Sequence, residues 1–150
     1  MSSRDLLPEK LQTALAEVRL VYVDLAKKPI QRNCVRKTEC CHFKLTGRTP
    51  YLTKGEAVAA ATAFRATGRK SLPENADGSC PMLQPGTGNC VIYEDRPFGC
   101  RTHFCAAAGG PIARREVLSL IRRLEDVDVA LNGNGPRPLQ DAVADALEEI

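Results

Sequence analysis

Seven cysteines, Cys34, Cys40, Cys41, Cys80, Cys90, Cys100 and Cys105, are the residues whose type and spacing could do chemistry in this chain. A cysteine can be half of a disulfide, a nucleophile, a redox centre or, as the thiolate, a ligand for a soft metal ion. Density and parity count against disulfides: seven in 150 residues lies below the roughly 8–10% of disulfide scaffolds, and an odd number cannot pair completely. The expected compartment counts against them too. Asp5, Pro8, Glu9 and Lys10 interrupt the N-terminal stretch before an apolar run reaches leader length, which predicts no secretory leader and a cytoplasmic address, where thiols stay reduced.

The cysteines form two groups, Cys34, Cys40 and Cys41 in one segment and Cys80, Cys90, Cys100 and Cys105 in another. Ligand-rich segments on either side of a rigid element can converge on one locus, as metal sites built from knuckles and loops do. Cys80, Cys90 and Cys100 follow at intervals of ten residues, while Cys100, His103 and Cys105 offer chelate-length steps of three and two. Thiolates select zinc, copper(I) or iron–sulfur over magnesium or calcium. Adjacent side chains such as Cys40 and Cys41 diverge, by about 100° on a helix and by about 180° on a strand. They suit two centres, or two irons of one cluster, better than two corners of one tetrahedron.

The elements that must position these residues are mostly helical. Leu11, Ala14, Leu15, Val18, Tyr22 and Leu25 recur at steps of three and four, predicting an amphipathic helix over 8–28 whose apolar stripe is a core face. "TKGEAVAAATAFRATG" predicts a second helix over 53–68, opened by a Thr53/Glu56 capping box and stopped by Gly68, with alanines for close packing. Val117, Leu120, Ile121, Leu124 and Val127 share a face of a helix expected over 111–132, and Pro138 starts a last one over 138–149. Between about 69 and 110 the chain turns rich in Gly, Pro and Cys, with few apolar residues to make a core of their own. There "CPML" and "CVIY", joined by "QPGTGN", predict a short β-hairpin that brings Cys80 near Cys90. The expected architecture over 1–150 is therefore one small, mainly α domain: a helical body with an irregular cysteine-rich insert and a short hairpin around a metal site in region 34–105.

Several function classes drop out. A net charge of +3, from 21 basic and 18 acidic residues, and an aromatic content of 5% do not make the basic, stacking face that nucleic acid requires. No stretch of 18 uncharged residues exists to span a membrane. Neither nucleic acid nor a membrane is the expected partner; a metal ion is. There is no nucleophile elbow, HExxH, phosphate-binding glycine loop or dinucleotide fingerprint, which removes hydrolase and kinase readings and leaves no catalytic residue to assign.

Over roughly 34–105 the sequence resembles the cysteine-cluster family named for the pattern C-x2-C-x2-C-C, described as zinc- or iron-chelating domains. The residues that carry the resemblance are "CVRKTECC", "YLTKGEAV" opening a helix, "CPML", and the long string C-x-I-Y-x-x-R-P-x-x-C-R from Cys90 to Arg101. It implies metal or iron–sulfur binding by Cys34, Cys40, Cys41, Cys80, Cys90 and Cys100, and no particular reaction. One position departs from the pattern: Lys37 stands where the family has its second cysteine, and a protonated amine does not ligate. Cys105, His42 and His103 are the candidates to replace it. Arg96 and Arg101, as cations beside thiolates, are candidates to support the site, and Tyr93, after Val91 and Ile92, is expected in the core.

Three readings follow. The first is a metal-binding module in which thiolates hold zinc or iron and order the insert. The second is an iron–sulfur redox protein or oxidoreductase accessory factor. The third is a metal-free thiol redox sensor reacting through Cys40 and Cys41.

Overall fold

The computed structural model describes residues 7–28, 50–73, 80–84, 90–102 and 113–150. The protein is mainly helical, as expected. Helix α1, Glu9–Ala26, starts behind Pro8, whose carbonyl accepts the Leu11 and Gln12 N–H groups at 2.9 and 3.0 Å. It buries Leu11, Ala14, Leu15, Val18, Val21, Tyr22 and Leu25, the predicted stripe with Val21 added.

Strand β1, Tyr51–Leu52, leads into α2, Lys54–Ala66. This helix is the centre of the fold, packing on α1 and on the two helices that follow later in the chain. Its sequence fits that position. Gly55, Ala57, Ala59, Ala60 and Ala61 are buried together with Val58 and Phe64, so small side chains on several faces let neighbouring backbones approach. A β-carbon on Gly55 would stand 2.6 Å from Val127 Cγ1 and 3.0 Å from Val18 Cγ2, which explains glycine inside a helix at this position. The helix stops as predicted at Gly68, with φ +90 and its N–H on the Arg65 carbonyl at 2.9 Å.

Helix α3, Phe98–Thr102, carries Cys100. A turn of 3-10 helix, Arg114–Glu116, precedes α4, Leu118–Ala130. The helix expected over 111–132 therefore begins later in regular form, and 111–112 lie outside the described residues. Val117, Leu120, Leu124 and Val127 are buried, and Ile121 packs against them from the side. At the end of α4, Asn132 takes the left-handed conformation (φ 59), its N–H reaching the Val129 carbonyl and the Gly133 N–H reaching that of Asp128 at 2.8 Å. This is a Schellman closure with asparagine at the left-handed position.

Strand β2, Arg137–Pro138, pairs antiparallel with β1 (Tyr51 opposite Pro138, Leu52 opposite Arg137) and runs into α5, Leu139–Glu149. The pair ties the start of α2 to the start of α5, and the Leu139 N–H on the Pro50 carbonyl at 2.9 Å extends it. At the far end of α2, Arg65 donates to the Leu147 and Ile150 carbonyls, capping α5. No helix among the described residues is long and apolar enough to cross a membrane.

Candidate metal centre

The described residues of the insert pack into the helical body's core rather than into one of their own. Cys80, Met82, Leu83, Ile92 and Phe98 are buried within the same apolar cluster as α1, α2, α4 and α5. Hydrophobic burial therefore orders the described part of the insert, by lending residues to a neighbour's core.

Cys80 opens a turn closed by the Leu83 N–H on its carbonyl at 2.9 Å. Leu83 then forms an antiparallel bridge with Cys90, and the Val91 N–H reaches the Met82 carbonyl at 2.8 Å. The hairpin expected here amounts, among the described residues, to that bridge, and it sets the Cys80 turn beside Cys90. After Cys90 the chain makes a 3-10 turn, Tyr93–Asp95, and passes through Arg96 to Pro97. The Pro97 carbonyl accepts the Cys100 and Arg101 N–H groups at 3.0 and 3.1 Å, starting α3. Proline suits this place because its ring presets φ for a first helical turn and it has no N–H to leave unpaired.

Two side chains fix α3. Glu56, 3% exposed, accepts the Thr53 N–H and hydroxyl on Oε2 at 2.9 Å each, and the Phe98 N–H on Oε1 at 2.8 Å. One buried carboxylate thus caps α2 and α3 together. Burial raises its pKa, while the hydrogen bonds from Thr53 and Phe98 pull in the opposite direction. Arg101 donates from Nε to the Arg96 carbonyl at 2.7 Å and from Nη2 to the Glu94 carbonyl at 2.6 Å, binding α3 to the turn before it. Its guanidinium also lies over the Tyr22 ring, 4.0 Å from the centroid. Arg96 lies over Tyr93 at 3.9 Å and donates to the Tyr93 carbonyl at 2.9 Å. Both arginines are tied into the cysteine segment's backbone. Ile92 is the core residue of "VIY"; Tyr93 is half-buried beneath Arg96.

Cys80 is buried and Cys90 and Cys100 are half-buried, and among the described residues no disulfide joins them. Cys100 interacts electrostatically with Arg101 and with Tyr22. The Tyr22 hydroxyl is buried without a hydrogen-bond partner among the described residues, and its pKa stands well above the ordinary value, chiefly through burial. Cys34, Cys40, Cys41, Cys105, His42 and His103, and Lys37 with them, lie outside the described residues. Among the described residues no group of three or more His, Cys, Asp or Glu side chains is arranged to hold a metal ion.

Sequence reasoning identified Glu56 as a helix cap and missed its second role, because the bond to Phe98 spans 42 residues. It also missed Asp128, a buried carboxylate of α4 that accepts the Lys54 N–H at 2.8 Å and the Gly135 N–H at 2.9 Å. Neither bond leaves a local pattern to read.

A thiol-bearing segment anchored in the core, with a buried hydroxyl unpartnered among the described residues and within electrostatic reach of one of its cysteines, suits a soft metal ion. Comparison with known proteins agrees. No curated protein and no solved structure matches the chain. A family model described as "CxxCxxCC: Putative zinc- or iron-chelating domain" matches residues 32–120, a stretch that holds all seven cysteines and both histidines. The chain belongs to this CxxCxxCC family.

Proposed function

We propose that the protein chelates zinc or iron through the thiolates of Cys34, Cys40, Cys41, Cys80, Cys90 and Cys100, with Cys105 and His103 as further donors. The observation that carries this reading is the anchoring of Cys80, Cys90 and Cys100 on one core-held segment inside the matched family region. The bound cation would supply the charge that lets several thiolates share one place. The chain's own residues do the rest: the Leu83–Cys90 bridge and the Pro97 turn set cysteine spacing, and Glu56 fixes the start of α3. Arg101 sets a fixed cation beside Cys100, compensating negative charge on sulfur. Reduced thiols of this kind fit a cytoplasmic protein.

A second reading, an iron–sulfur redox protein or accessory factor, is favoured by the adjacent Cys40 and Cys41, whose diverging side chains suit two irons of one cluster. Elemental analysis with an absorption spectrum, on protein prepared without oxygen or affinity-column metal, tests both. Colourless protein with stoichiometric zinc, or with iron and no sulfide, supports chelation. A brown preparation with acid-labile sulfide supports the cluster. Protein free of metal, with a low-pKa thiol in alkylation titrations, overturns both in favour of a thiol redox sensor.

A further inference from the structure

Tyr22 lies on the buried face of α1, where a phenylalanine would fill the same space. Its hydroxyl nonetheless has no hydrogen-bond partner among the described residues, although it is buried. A buried donor left unpaired destabilises the fold, so the orphan needs an explanation.

The neighbouring groups narrow the choice of acceptor. Glu56, Cys100, Arg101 and Asp95 all act electrostatically on the phenol. Both Glu56 oxygens are engaged, by Thr53 and by the Phe98 N–H. Asp95 faces Arg19 at 3.8 Å. Arg101 has no acceptor to offer, and it covers the ring face while its other N–H groups hold the Glu94 and Arg96 carbonyls. The ring is therefore kept in place under Arg101, the residue that follows Cys100 on α3, with its hydroxyl within electrostatic reach of that cysteine. A thiolate bound to a metal retains lone pairs and excess charge, and hydrogen bonds to such sulfurs tune the centre.

We propose that Tyr22 is a positioning residue of the metal centre, its hydroxyl donating a hydrogen bond to the ligand set around Cys100 when metal is bound. This rests on the chelation reading above. The hydroxyl is then a burden on the metal-free protein and a support of the loaded one, so the two forms should respond to its removal in opposite directions.

The test compares wild type with Tyr22→Phe, which keeps the ring and the Arg101 stack. Thermal melts are run on the metal-free proteins, zinc affinity is measured by chelator competition, and absorption spectra are taken after loading with cobalt(II). The expected result is a melting temperature equal to or above that of wild type, zinc bound about 10- to 100-fold more weakly, and a shifted thiolate-to-cobalt charge-transfer band. A purely structural role would lower the melting temperature and leave the band unmoved. Unchanged zinc affinity and an unchanged band in Tyr22→Phe, with wild type loading normally, overturn the Tyr22 role alone. Wild type that takes up neither zinc nor cobalt overturns the chelation reading and this inference with it. A phenolate-to-iron(III) band in ferric-loaded wild type, absent from Tyr22→Phe, overturns the donor role in favour of direct ligation.

Discussion

Glu56 joins the positions of α2 and α3 through a single carboxylate, which makes it the residue on which the placement of Cys100 most depends. In Glu56→Gln the amide NH2 must face an N–H donor that the second oxygen now satisfies. The expected cost is about 1–3 kcal/mol of stability, measured by urea denaturation. The pH dependence has a definite sign. Burial raises the Glu56 pKa in the folded protein, so between the ordinary carboxylate range and that raised value the native state binds the proton more tightly than the unfolded chain does. Its contribution to stability is thus largest in acid and falls as pH rises through that window. Denaturation midpoints measured across the window should show this downward component in wild type and lose it in Glu56→Gln; an unchanged slope would contradict the assignment. The sequence disclosed half of this residue's role. "TKGE" spells a cap because cap and partner are three residues apart, whereas the Phe98 bond depends on tertiary placement. The same holds for Arg101: its neighbour Cys100 is evident from the sequence, while its seat on Tyr22 is not.

Among the elements, the four long helices were legible because amphipathic periodicity and terminal residues agree: Pro8 and Gly68 mark ends, and the buried faces follow the three- and four-residue steps. The β1–β2 pair was not, since two residues per strand and a separation of more than 80 residues carry no period. The hairpin signal at Cys80–Cys90 was legible as proximity, and the described residues supply one bridge of it. Two substitutions probe how the elements lock. Gly55→Ala drives a methyl against Val127 and Val18 and should destabilise by about 1–3 kcal/mol; a neutral effect in thermal or urea unfolding would show that α1, α2 and α4 pack less closely than described. Asp128→Ala strips the acceptor from Lys54 and Gly135 and should also cost about 1–3 kcal/mol. Its loss should raise hydrogen exchange at the start of α2 before it affects α5.

For the whole molecule, the helical body and the cysteine segment share one core yet differ in what else supports them. Structural zinc contributes apparent free energies of about 10–16 kcal/mol in small modules, against a net stability of about 5–15 kcal/mol for an ordinary domain. Metal should therefore add to the order that the shared core already gives the cysteine segments, while α1, α2, α4 and α5 keep their more extensive apolar contacts without it. Chelation is expected to accelerate hydrogen exchange across 80–84 and 90–102 more than in those helices, with most of the helical circular dichroism retained. Uniform loss of protection would place metal in the core of stability instead. The cysteines were the plainest feature of the sequence, because the capacity of a thiolate to hold a soft metal is carried by the residue type itself. The ligand geometry was not legible, because it depends on how segments distant along the chain meet.

X-ray absorption at the metal edge of the loaded, oxygen-free protein tests the central claim most directly. Predominantly sulfur coordination, at about 2.3 Å for zinc, is the predicted result, and replacing Cys80, Cys90 or Cys100 by serine should reduce the sulfur count. A first shell of oxygen and nitrogen alone, unchanged by those substitutions, would contradict it.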